Sequence, residues 1–231
     1  MTVLARALTL ALCVYCSAAE PRTRSASRRG GSGAKTITIA YLLDGNDFKN
    51  EDTSPDSGVG KWLKKVQEKA EMKLHQATGV KIKFNTTDRN VTNPELTKNL
   101  LSWTSAGSCG SESLMHAGMV LGEVKLQSTY WPLRPHVICV LTKLKLYQDD
   151  LINLLGYAMH KTLCITTVPM LLTYNLENVK ETGNLLSELI MNSTPNHFRN
   201  REQYFNKCNN RRMFDDKYAK RLSRPKIRSR Q

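Results

Sequence analysis

An almost wholly apolar, β-branched run over residues 36–44 is followed by a polar stretch with Pro55. After it, Trp62, Val66, Ala70 and Leu74 recur every four residues. The first segment suits a buried strand. The second, over residues 59–77, reads as an amphipathic helix with lysines and glutamates on its other face. Gly79 stands where a helix stops. Val80-Lys81-Ile82-Lys83-Phe84 alternates apolar and basic residues, the pattern of a half-buried strand. Asn93-Pro94-Glu95 then opens a second helix, with Pro94 at its first position, running through Leu96, Leu100 and Trp103 to about Ala106. Strand, helix, strand, helix at these lengths predicts an α/β (α+β) layered domain.

The later chain continues the pattern. Residues 137–142 form a strongly apolar, buried strand, and residues 168–174 a shorter one in which Pro169 marks an edge or a strand start. Residues 119–133 carry no clear period, and Thr129-Tyr130-Trp131 reads as part of an edge strand. Asp149 and Asp150 read as loop carboxylates, because nothing reactive accompanies them.

Residues 1–19 have the form of a secretory signal peptide: Arg6 first, then an apolar run, then Ser17-Ala18-Ala19. Residues 20–34, rich in Arg, Ser and Gly, predict a disordered basic leader. No second run of about twenty apolar residues follows, so no membrane span is expected. Removing the signal leaves Cys109, Cys139, Cys164 and Cys208. In an oxidising compartment these favour two disulfides, with three possible connectivities. Secretion gives meaning to three glycosylation sequons, at Asn85, Asn90 and Asn192. Pro195 follows the third and is expected to impair it.

Residues 183–197 read as a helix with one apolar stripe, Leu185, Leu186, Leu189 and Ile190. Its other residues fall at the offsets of the zinc-protease helix His-Glu-x-x-His-x-x-Gly-x-x-His, in which histidines hold zinc and the glutamate activates the bound water. The first histidine position holds Ser187, the second Met191 and the glycine position Thr194, while Glu188 and His197 keep the glutamate and third histidine. Serine is a poor zinc ligand, and a thioether prefers softer metals. His160, in Gly156-Tyr157-Ala158-Met159-His160, can be laid on the same motif but fits it worse and reads as an outward strand residue. His75, His116 and His136 are scattered singly and read as structural or surface residues.

The order Val140-Leu141-Thr142, Leu146-Tyr147, Gly156-Tyr157-Ala158 with Cys164, Val168-Pro169-Met170, then Gly183 and its helix, resembles the metzincin zinc endopeptidases, most closely their reprolysin-type branch. Tyr204-Phe205-Asn206-Lys207-Cys208 resembles that branch's closing segment. The chain also resembles the 28 kDa family of metastriate tick saliva, a divergent relative of reprolysins. The resemblance spans about residues 36–221. It implies a mixed sheet of about five strands with helices on both sides, filling residues 35–216. It also implies a Cys164–Cys208 disulfide, which leaves Cys109 with Cys139. With its ligands replaced, the zinc helix is degenerate, Glu188 has no metal-bound water to activate, and no cofactor is expected.

From Lys217 the tail carries Lys217, Lys220, Arg221, Arg224, Lys226, Arg228 and Arg230 and no acidic residue. Without the signal the net charge of +14 falls to about +13, a field that favours acidic partners such as sulfated glycans. Secretion and the lack of interleaved aromatics in the tail argue against nucleic acid. The resulting expectation is a secreted, glycosylated, catalytically inactive metalloprotease-like salivary protein that binds host extracellular proteins or glycans. Two rivals stand beside it. One is an active zinc endopeptidase using His197, alone or with His160, and Glu188; the other is a heparin-type glycan binder of unrelated α/β fold working through residues 217–231.

Overall fold

The computed structural model describes residues 33–105, 113–131, 134–195 and 200–209. The expected signal and nearly all of the expected leader, Cys109, His197 and residues 217–231 lie outside them.

Strand β1 (Lys35–Leu43) comes first, and helix α1 (Gly58–Thr78) follows it. The Ser57 side chain caps α1 by accepting from the Gly60 amide at 2.9 Å. Gly79 ends the helix at φ 71°, a conformation that suits glycine best. Strand β2 (Ile82–Val91) returns parallel to β1. Helix α2 (Pro94–Ser102) starts at Asn93, whose side chain accepts from the Leu96 amide at 2.7 Å. It stops four residues before the expected end, because β3 (Thr104–Ser105) begins there. Strand β4 (Leu114–His116) leads into α3 (Ala117–Ser128), and β5 (Val137–Thr142), β6 (Lys145–Gln148), β7 (Leu151–Leu154), β8 (Gly156–Ala158), β9 (Val168–Thr173) and α4 (Val179–Asn192) follow. Residues 201–209 are helical.

The described residues form a mixed α/β structure with two mixed sheets. The larger has the order β2-β1-β5-β9-β8, with β8 antiparallel to β9 and the other neighbours parallel. The smaller has the order β3-β4-β6-β7. One face of the large sheet packs Ile37, Ile39, Tyr41 and Leu43 against Trp62, Val66, Ala70 and Leu74 of α1 and Leu186, Leu189 and Ile190 of α4. The other face packs Leu42, Ile138, Val140 and Leu171 against Leu96 and Leu100 of α2, Val120, Leu121 and Val124 of α3, and Met115 and Leu146 of the small sheet. β1, β5 and β9 are covered on both faces, which is why they read as continuous apolar runs. Each fully buried Leu, Ile or Val side chain contributes about 1.5–3 kcal/mol. Among the described residues no helix is long and apolar enough to cross a membrane.

Four expectations need correction. Residues 129–131 form a turn after α3 rather than an edge strand, and Tyr130 is 81% exposed. The helix before them escaped notice because Met119 and Leu126 are exposed while Val120, Leu121 and Val124 are buried, so its apolar residues mark no single stripe. Pro169 marks the start of a strand, as its second residue, but not an edge: β9 is interior, and the antiparallel edge strand is β8. Pro169 is tolerated there because Val168 already donates its amide to His136 O at 2.9 Å, and β8 pairs only from Met170 onward. His160 lies beyond the end of β8, not in a strand. Finally, Cys139 is a free thiol, wholly buried in the layer between the sheet and α1, where burial pushes its pKa up to about 12. The Cys109–Cys139 bond is therefore not present in this structure.

Candidate functional site

Helix α4 is built for packing along most of its length. Thr182, Gly183, Leu186, Ser187, Leu189 and Ile190 are buried. Gly183 allows the close approach of α1: a Cβ there would stand 2.5 Å from Lys69 Cβ and 3.1 Å from Val66 O. Ser187, at the first histidine position of the zinc motif, is 3% exposed, and its hydroxyl donates to Asn184 O at 2.6 Å. Glu188 points to solvent. Ser193 and Thr194 close the helix by donating their hydroxyls to Leu189 O at 2.7 Å and Met191 O at 2.6 Å.

The end of α4 opens on a cavity of about 310 Å³, lined by Met191, Asn192, Thr194, Pro195, Arg201, Tyr204 and Phe205. Two of these, Met191 and Thr194, occupy motif positions. The opposite wall belongs to the helical residues 201–209. Arg201 Nη1 donates to Ala77 O at 2.7 Å, and the Tyr204 hydroxyl donates to Leu163 O. Burial pushes the Tyr204 phenol up to about 12. Cys164 and Cys208 stand at disulfide distance behind this wall, Cα to Cα 4.5 Å, and tie residues 201–209 to the turn before β9. Cys164 has φ 63°.

These residues do not fit a catalytic zinc. Such a site needs three side-chain donors converging on one point with a fourth position open. The Ser187 hydroxyl is buried and directed at its own helix, Glu188 faces away from the packed side, and Met191 offers only a thioether. His197 lies outside the described residues. Among the described residues, no three His, Cys, Asp or Glu side chains gather.

The remaining histidines take separate places. His116 caps α3, its Nδ1 accepting from the Met119 amide at 3.4 Å, and its ring lies 4.8 Å from that of Tyr147. His136 is buried at the start of β5, where Nδ1 accepts from the Thr38 amide at 2.9 Å. His160 is half-buried, and its pKa is lowered by burial and by the charge of Lys125. Asn85 and Asn90 are exposed on β2, and Asn192 is exposed at the end of α4.

One polar centre carries no motif in the sequence. Asp44 is 1% exposed at the C-terminal end of β1, and Thr142 at the end of β5 lies between it and Asp47, 3.2 Å from Asp44 Oδ2 and 3.1 Å from Asp47 Oδ2. Asp44 Oδ1 accepts from the Asn46 amide at 3.0 Å. Burial raises the Asp44 pKa above its ordinary value, and Asp47 adds to the rise. A carboxylate placed directly after an unbroken apolar run is the signal that marks such a position. Asp149 and Asp150, by contrast, form the β6–β7 turn, as loop residues should.

No protein-family model matches this chain, and no curated protein is significantly similar to it.

Proposed function

We propose that this chain is a secreted, non-catalytic binding protein on a metzincin-like scaffold, related to the 28 kDa family of tick saliva. Its zinc helix has become a packing helix. The carrying observation is Ser187: the residue at the leading ligand position is buried, with its hydroxyl bonded inside the helix. The five-stranded mixed sheet with helices on both faces supports the scaffold reading, as does the Cys164–Cys208 pair. A base at Glu188 with no metal-bound water beside it has nothing to activate. The partners are host extracellular proteins or sulfated glycans, drawn by a secreted chain whose net charge, +14 with the signal, is about +13 without it.

Two assays test this reading. Incubation of the secreted protein with a broad quenched-peptide set should give no cleavage that a chelator abolishes. Chelator-sensitive cleavage lost in Glu188→Gln would overturn the reading. On a heparin column, deletion of residues 217–231 should shift elution to lower salt. Unchanged elution would remove the tail as the glycan-binding segment.

A further inference from the structure

Strand β2 is the outer strand of the large sheet, and it carries both upstream sequons. Asn90 follows Asn85 by five positions, an odd offset, so a regular strand would point them to opposite faces. The pairing with β1 is not regular. Asn85 is opposite Thr38 and Thr86 opposite Ile39, but Asp88 is opposite Ala40 and Asn90 opposite Leu42. Thr87 is the extra residue of a β-bulge. The bulge resets the alternation, so Asn85, Asp88 and Asn90 share one face while Phe84, Thr86, Arg89 and Val91 share the other.

The contacts agree with that assignment. Phe84 and Val91 pack against the α1 side, Gln67 of α1 donates to Thr86 Oγ1 at 3.0 Å, and Arg89 Nε donates to Thr53 O at 3.0 Å. Asn85, Asp88 and Asn90 are all exposed. The first residues of β2 are guarded differently: exposed Lys83 pairs with Glu71, a charge of the kind that blunts sheet edges.

We propose that the Thr87 bulge serves to bring two N-glycans onto one uncovered face of β2, about 13 Å apart, where together they shield the open edge of the sheet from pairing with another strand. The proposal rests on the secretory reading above. At each site the asparagine amide nitrogen attacks the anomeric carbon of a lipid-pyrophosphate-linked oligosaccharide. A nitrogen–carbon bond forms, the bond to the pyrophosphate oxygen breaks, the lipid pyrophosphate departs and the amide nitrogen gives up one proton.

The test uses the full chain expressed in a secreting eukaryotic cell. Intact-mass and glycopeptide analysis should find glycans on both Asn85 and Asn90, and size-exclusion chromatography should show a monomer. Asn85→Gln/Asn90→Gln should shift toward dimers or larger species as concentration rises. An endoglycosidase that leaves one sugar per site, applied to the folded glycoprotein, should produce the same shift without any question of misfolding. Protein in the medium with either site bare overturns the proposal while leaving secretion intact. Both sites filled, but a trimmed protein that stays monomeric, overturns the shielding role. Protein retained in the cytosol removes the secretory reading and this proposal with it.

Discussion

At the β8 end of the large sheet the molecule is closed: α4 lies against α1 with no room for a side chain at Gly183, and Cys164–Cys208 ties residues 201–209 to the turn before β9. At the β2 end it is open on one side: the outer strand has exposed Asn85, Asp88 and Asn90 on one face, while Ile82, Phe84 and Val91 pack toward α1 on the other, beside hydrogen bonds from Gln67 and to Glu71. The difference teaches where the chain's specialisation lies. A zinc protease would need side-chain donors facing an accessible cleft, whereas Ser187 of α4 is buried with its hydroxyl bonded to its own helix. The free surface lies instead at the opposite end of the sheet.

Substitutions should therefore hurt most at the closed end. Replacing Cys164 and Cys208 together by alanine opens a link between residues 44 apart in sequence, and chain entropy sets the expected loss at about 4 kcal/mol. Gly183→Val should cost about 3 kcal/mol, since α1 would have to be pushed away. Both are read as shifts in the urea midpoint, and a change under about 1 kcal/mol in either would break the contrast. At the open end, Glu71→Ala removes the acceptor of the Phe84 amide, a bond of 2.8 Å, and should cost about 1–2 kcal/mol. A larger loss than at Gly183 would reverse the comparison.

The centre of the sheet gives a pH-dependent version of the same measurement. The folded-state pKa of Asp44 is raised above its ordinary 3.8, so the folded protein holds this proton more tightly than the unfolded chain. Its contribution to stability is full below that ordinary value and is lost as pH rises through the raised one. Thermal melts from acid to neutral pH should show that decline, and Asp44→Asn should flatten it. A variant that keeps the wild-type slope would show that other groups cause it. The smallest effect belongs to Glu188→Gln, which should change stability by less than about 0.5 kcal/mol because the side chain faces solvent.

Much of the sheet was legible because burial on both faces writes itself as continuous apolar sequence: β1, β5 and β9 follow this rule, and α1 shows its four-residue spacing. Short elements were not. The β6–β7 hairpin has only four residues per strand, and exposed Leu151 and Ile152 hide its alternation. Helix α3 hid behind a mixed surface. The apolar stripe of α4 was legible, although the helix runs over Val179–Asn192 rather than residues 183–197. The direction of Ser187 was not, because it depends on the approach of α1, which is distant in sequence. Asp44 was visible as a residue but not as a buried one, since Thr142 comes to it from a strand distant in sequence.

The central claim is that α4 packs rather than binds metal. The most direct test is the zinc content of the secreted protein by mass spectrometry, after purification without chelators. The account predicts zinc far below one atom per chain, with no difference between the wild type and His197→Ala. One zinc per chain, lost in His197→Ala, would contradict it.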